Sequence, residues 1–221
     1  MWYNDVTMRL RNIPGAREAV AASPYCVQDV HAYRGRWREL FPGKRHLYLE
    51  IGCGKGRFLI ETAQRYPEDA FLGMERFSTV LYKALKKLPD PAPENLRFLL
   101  LDAEILTEVF APGEVDGIYL NFSDPWPKER HRERRLTSAT FLRRYREILS
   151  ADAEIAFKTD NRGLFDFSLE EAERAGFHIV RKTFDLHAEE EMCRDNVMTE
   201  YEERFVSAGH PVCKYIIRQE E

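Results

Sequence analysis

No CxxC pair occurs among the four cysteines, Cys26, Cys53, Cys193 and Cys213. That absence argues against a zinc ribbon or a disulfide framework, and for a reducing compartment. The six histidines are dispersed along the chain, so no structural metal is expected. No apolar run approaches the roughly 20 residues needed to cross a bilayer. The opening "MWYNDVTMRLRN" lacks the apolar core of a secretory signal, which leads to the expectation of a cytoplasmic protein. Internal repeats and low-complexity tracts are missing too, so solenoids and disordered tails are not expected. A large excess of one charge sign is also missing. Against 33 Lys and Arg stand 37 Asp and Glu, a net charge of -4, which taken alone argues against a nucleic-acid partner.

What is present is a chain of 221 residues with 44% hydrophobic content, enough for one α/β domain with a substantial core. The charge is also unevenly spread. Cations cluster in "MRLRN", in "YRGRWRELFPGKRH", and in "KERHRERR" running into "RRYRE", whereas acids cluster late, in "HAEEEM" and "TEYEER". One face can be basic while the whole is acidic; interspersed acids on solvated helix faces are the plainer alternative.

Residues 1–44 are broken repeatedly by Pro14, Gly15, Pro24, Gly35, Pro42 and Gly43, and read as a basic N-terminal arm. From residue 45 to 221, short apolar runs alternate with amphipathic segments. "HLYLEI" reads as a buried strand, and "GRFLIETAQRY" carries Phe58, Leu59, Thr62, Ala63 and Tyr66 at helical spacing. "AFLGME", "NLRFLLLD", "VDGIYLNF" and "AEIAFKTD" are further strands, with "FHIVRKTFDL" and "VCKYIIR" closing the sheet. "STVLYKALKKL", "SATFLRRYREIL" and "LFDFSLEEAERAG" are the helices between them, the last stopped by Gly176. This alternation predicts an α/β fold of Rossmann-like type: a mostly parallel seven-stranded sheet with helices on both faces. Ligands of such sheets bind at the carboxyl ends of the strands.

The strand ends carry the chemistry. The first ends in "EIGCGKG", with Glu50, Gly52, Gly54 and Gly56. A dinucleotide fingerprint reads GxGxxG and lays a pyrophosphate on the following helix. Here the third glycine comes one residue early and an acid precedes the first. A carboxylate facing the pocket repels phosphate and suits a ligand with an amino group, which favours S-adenosylmethionine (SAM) over NAD. An ordinary tight turn is the bland alternative. The second strand ends at Glu75, placed to take a ribose diol. The third ends at Asp102, which either accepts from an adenine amino group or caps the next helix. Three successive acidic strand ends are far more specific than any one of them. The fourth strand runs into "NFSDPWPKERH", where two prolines stiffen the loop and hold Asp124 toward the pocket. Trp126 either stacks on a base or packs the loop onto the body.

In its motifs the sequence resembles the bacterial single-chain tRNA (guanine-N7)-methyltransferases. The likeness spans nearly the whole chain and is carried by "MRLRN", "EIGCGKG", "NFSDPWPKERHRERRL", "FKTDN" and "TEYEERF", in the family's order. It implies a SAM-dependent methyltransferase domain over residues 45–221, with Glu50, Gly52, Gly54, Gly56, Glu75, Asp102 and Asp124 at the cofactor and Asp124 beside the methyl group. It further implies substrate contacts from Lys128, Arg130, Asp160 and the 199–202 segment with Thr199 and Glu202, and methylation of a variable-loop guanosine to 7-methylguanosine. The implied partner is tRNA, with no membrane or metal, and with the chain a monomer or homodimer. Arg132, Arg134 and Arg135 are candidate phosphate contacts, and Arg9, Arg11, Arg34, Arg36 and Arg38 are candidates to extend that track. The alternatives are a SAM-dependent enzyme acting on another base or an amine, a non-catalytic tRNA-binding subunit, and an NAD oxidoreductase, which Glu50 and the glycine spacing disfavour.

Overall fold

The apolar runs pair into a single sheet in the computed structural model, which describes residues 13–220. Its strands are β1 (Leu47–Ile51), β2 (Ala70–Glu75), β3 (Leu96–Leu100), β4 (Val115–Asn121), β5 (Leu149–Thr159), β6 (Phe177–Thr183) and β7 (Cys213–Gln219). The order is β3-β2-β1-β4-β5-β7-β6. The first five strands pair in parallel, and β7 is antiparallel to both neighbours. Winding reverses between β1 and β4, which creates a crevice at their carboxyl ends.

Parallel neighbours need long crossovers, and helices supply them. The helices are α1 (Ala16–Ala21), α2 (Arg57–Arg65), α3 (Ser78–Leu85), α4 (Leu106–Val109), α5 (Ala139–Ile148), α6 (Arg162–Arg174), α7 (Glu190–Cys193) and α8 (Glu200–Ser207). Capping sets their starts. Ser138 Oγ accepts the Phe141 N–H ahead of α5, and Asn161 Oδ1 accepts the Leu164 N–H ahead of α6. Alternation along the strands divides the core in two. Leu47, Leu49 and Ile51 of β1 and Leu72 and Met74 of β2 join α4, α5 and α6 on one face. Phe71 and Phe98 point the other way, into Phe58, Leu59, Leu81 and Ala84 of α2 and α3.

Residues 13–44 are packed onto this sheet. The Val27 N–H donates to Phe98 O and the Phe98 N–H to Tyr25 O, which places a short parallel bridge outside β3. Trp37 is fully buried, stacks on Phe110 and donates its indole N–H to Val109 O at 3.0 Å. The Glu114 carboxylate accepts the N–H groups of Gly35, Trp37 and Ala111. The cations of this segment are engaged locally: Arg34 with Thr107 O, Arg36 with Glu39, and Arg38 with Asp116. Asp116 also accepts the N–H of Leu47, the first residue of β1. Arg38 therefore sits at the amino ends of the strands, opposite the crevice, and does not extend a cationic track toward it. Arg9 and Arg11 lie outside the described residues.

Trp37 ties residues 13–44 to the core. Trp37→Ala is expected to cost about 3–5 kcal/mol of folding stability, as for other buried Trp truncations. Urea denaturation measures it, and a loss under about 1 kcal/mol would mean that this segment is not part of the cooperative unit.

Candidate active site

The crevice begins with a tight turn after β1. Gly52, Gly54 and Gly56 all have positive φ, where L side chains are strained. At Gly56 a Cβ would also come within 2.9 Å of Ala84 Cβ, so the approach of α2 to α3 requires glycine there. The Gly52 and Cys53 N–H groups donate to Met74 O, and the Gly54 N–H donates to Glu75 Oε2 at 3.2 Å. The turn is thus held to the end of β2. Burial, with Glu50 and Glu75 nearby, pushes the Cys53 thiol well up in pKa, which keeps it protonated.

Glu50 lies within β1 and is 2% exposed. Its Oε1 accepts from Asn121 Nδ2 at 2.8 Å, while its Oε2 is buried and has no partner among the described residues. Burial pushes its pKa up to about 7; the Asn121 hydrogen bond and the Lys158 charge resist the shift, and Glu75 adds to it. Glu75 ends β2, and its Oε1 accepts the Phe77 N–H at 2.9 Å. Burial raises its pKa against the backbone donors Phe77 and Gly54. Asp102 stands beyond β3 and caps the 3-10 turn Ala103–Ile105 through the Glu104 N–H, so the capping role is realised. Its other oxygen lies 3.7 Å from Arg76, and Asp102 lines an open cleft of about 410 Å³ with Arg17, Arg76, Phe77 and Leu101.

The loop after β4 is conformationally unusual. Phe122 has φ 51° and Trp126 has φ 42°, the two non-glycine residues with positive φ among those described. Each such residue costs about 1–3 kcal/mol unless its surroundings enforce it. Phe122 packs on Tyr201 of α8, with ring centroids 5.2 Å apart. Trp126 meets the His131 ring edge-on and lies under the Arg134 guanidinium. Asp124 is exposed between them, with no hydrogen bond or ion pair among the described residues.

The cationic run divides by direction. Lys128 and Arg130 are exposed. Arg132 turns inward, to Glu129 and to buried Glu171 of α6. Arg135 donates to the carbonyls of Pro125 and Trp126. Neither Arg132 nor Arg135 is presented as the outward phosphate contact that the sequence suggested.

Asp160 follows β5 half-buried. Burial raises its pKa, opposed by its own backbone N–H, by His210 and by a hydrogen bond from Tyr201. Glu202 departs furthest from expectation. It is fully buried, and its oxygens take donors from Lys158 Nζ at 2.7 Å, Asn196 Nδ2 at 2.7 Å and His187 Nε2 at 3.0 Å. It also forms a reciprocal capping box with Thr199 at the start of α8. Its side chain points into the protein, because the partner charge, Lys158, is buried in β5 beneath it. Lys158 satisfies all three of its protons on Asn196, Val197 and Glu202. Burial lowers the Lys158 pKa. Burial also acts to raise that of Glu202, but Lys158, Asn196 and His187 outweigh it and hold the carboxyl below its ordinary value.

Sequence reasoning missed Asn121 and Lys158. The available signal was a lysine inside the apolar run "AEIAFKTD", where an unpaired charge would not be tolerated. Asn121 and Lys158 are register partners on β4 and β5, and Asn121 Nδ2 reaches back to Glu50 on β1, whose own register partner is Tyr119. Three polar side chains on adjacent strands thus form a staggered row at the crevice.

Sheet order, glycine turn and acidic strand ends are those of a methyltransferase fold. The chain covers 85% of itself and 94% of an antibiotic-related methyltransferase structure at TM-score 0.62 and 16% identity. It covers the same shares with the 16S rRNA methyltransferase KamB at TM-score 0.63 and 14% identity, and both likenesses concern the fold alone. A family model described as putative methyltransferase matches residues 44–215. At higher identity stand the tRNA (guanine-N(7)-)-methyltransferases of Lachnoclostridium phytofermentans, 50% identical over 97% of this chain and 100% of the relative, and of Brevibacillus brevis, 48% identical over 93% and 95%. The chain belongs to the tRNA (guanine-N7)-methyltransferase family.

Removing one partner of a buried ion pair leaves the other charge uncompensated. Lys158→Met is expected to destabilise the fold by about 3–5 kcal/mol. The measurement is denaturant unfolding at neutral pH, and a loss below about 1 kcal/mol would show that Glu202 finds solvent or another cation.

Proposed function

We propose that this chain transfers the methyl group of SAM to N7 of a guanosine in the variable loop of tRNA. The observation that carries the reading is the buried, half-satisfied carboxylate of Glu50 at the crevice of a chain 50% identical to an enzyme of that name. An orphaned carboxylate oxygen fits an ammonium group, and the remaining donors and acceptors fit the rest of the cofactor. Glu50 holds the amino group of the methionine part, and Glu75 accepts from the ribose hydroxyls. Asp102 faces the adenine amino group in the cleft it shares with Phe77. When bound, SAM supplies an electrophilic methyl on a sulfonium.

Guanine N7 carries an in-plane lone pair and no proton, so no general base is needed to free it. The residues of the chain need only align the base, with reacting atoms roughly 3–3.5 Å apart. Asp124, beside the methyl group, stabilises the positive charge that arrives on the guanine ring. Lys128 and Arg130 hold phosphates, contacts that position RNA without reading it. Asp160 and the 199–202 segment line the substrate side. Thr199 and Glu202 act there by holding the turn that presents Tyr201.

The test is transfer of labelled methyl from SAM to unmodified tRNA, with the product nucleoside identified. The expected product is 7-methylguanosine, and Asp124→Ala is expected to lower kcat by about 10²–10³-fold while SAM binding persists. An equal loss of SAM affinity would move Asp124 into the cofactor site, and a different methylated nucleoside would overturn the substrate reading.

Glu50 sets a pH dependence. Its carboxyl is neutral below its pKa of about 7 and charged above it, so SAM affinity should rise as the pH passes through about 7. That window lies below the titration of an ordinary α-amino group. Calorimetry across it should show the rise in the wild type and a weaker, flat profile in Glu50→Gln; a flat wild-type profile would remove Glu50 from the site.

A further inference from the structure

The loop that carries Asp124 contains two strained residues, and the structure shows what holds one of them. In extended chain, successive side chains and carbonyls alternate in direction. The positive φ of Trp126 breaks that alternation, and the carbonyls of Pro125 and Trp126 both face the same guanidinium. Arg135 Nε donates to Pro125 O at 2.9 Å and Arg135 Nη2 donates to Trp126 O at 3.1 Å. These are neighbouring donors of the rigid fork, a geometry that an ammonium cannot copy. The guanidinium plane in turn lies over the Phe167 ring of α6, 4.2 Å from its centroid. One turn further along α6, buried Glu171 holds Arg132 of the same cationic run. Both arginines therefore dock the run on one face of α6. Arg134 and His131 close on the Trp126 ring from above. Pro125 and Pro127 offer no backbone N–H, and Arg135 holds the apex through the carbonyls of Pro125 and Trp126.

We propose that Arg135 is a positioning residue for methyl transfer. It clamps the Pro125 and Trp126 carbonyls against α6 and so holds Asp124, one residue before the clamp, at the crevice. It does not act by binding RNA phosphate. This rests on the function proposed above. A loose clamp lets Asp124 wander by about an ångström, and misplacement on that scale costs on the order of 10²-fold in rate.

The experiment compares the wild type with Arg135→Lys, Arg135→Met and Phe167→Leu. Steady-state kinetics are run on tRNA at several salt concentrations. A second readout is fluorine NMR of protein labelled with fluorotryptophan. The chain has three tryptophans, and Trp126→Phe assigns the resonance of interest. A clamp predicts that Arg135→Lys, which keeps the charge, lowers kcat by about 10²-fold. KM for tRNA and the salt slope of tRNA binding stay at wild-type values. The Trp126 resonance shifts or broadens while that of buried Trp37 does not. Phe167→Leu, which touches no cation of the outward set, gives the same pattern in weaker form. The proposal is overturned if Arg135→Lys keeps kcat and the Trp126 signal while Arg135→Met raises KM and reduces the salt slope by about one phosphate contact. If the wild type makes no 7-methylguanosine yet Arg135→Lys releases Trp126, the clamp stands and the functional reading falls.

Discussion

The ion pair between Lys158 and Glu202 is the contact on which one wall of the crevice depends. Neither charge is tolerable alone in this interior, so each fixes the other's position. Lys158 is carried by the interior strand β5, and Glu202 by a helix far along the chain. Their pairing brings α8 over the carboxyl ends of the sheet. Further ion pairs then follow on the outside, from Lys55 and Lys87 to Glu200 and from Arg57 to Glu203. Exposed pairs of this kind contribute little each. The buried one sets the register, and the outer ones are compatible with it. Through Tyr201 the helix then meets Phe122 and Asp160, so α8, the β4 loop and the end of β5 form one wall.

On the other side of the same row, Glu50 is buried with half its hydrogen-bonding capacity unused. Desolvating a carboxylate is costly, and the cost is visible in its raised pKa. Asn121 supplies one donor and Lys158 a distant positive charge, which together keep the group near its ionisation point at neutral pH. A site held in that condition is ready for a cation. The same few residues therefore connect β1 and β4, through Glu50 and Asn121, to α8, through Lys158 and Glu202.

The cationic run after the β4 loop illustrates how charge in a sequence divides between structure and surface. By sequence its arginines are equivalent candidates for phosphate. In the fold Arg132 and Arg135 face α6, Arg134 covers Trp126, and Lys128 and Arg130 remain outward. The division follows the 3-10 turn Glu129–Arg134, which rotates successive side chains between the protein and the solvent. Arg34, Arg36 and Arg38 are likewise spent on local partners at the far end of the strands.

The sequence by itself determined the strands, their mostly parallel arrangement, the glycine turn and the positions of the acids Glu50 and Glu75, because each is written in local pattern: apolar runs, glycine spacing, a carboxylate where a run stops; the strand order and the antiparallel β7 were not legible there. Asp102 was legible in position, and only its neighbours in space show that it caps a turn while lining the cleft. Tertiary structure alone decided the direction of Glu202, the pairing of Lys158 and the use of Arg135. Each joins residues between 9 and 44 positions apart, or in separate elements, and no periodicity encodes which buried charge will meet which. Trp126 belongs to the same group, since its packing depends on a histidine and an arginine that reach it only once the loop has turned. Local sequence specifies what a residue can do, and the cost of leaving charge and backbone unpaired in the interior decides which of those things it does.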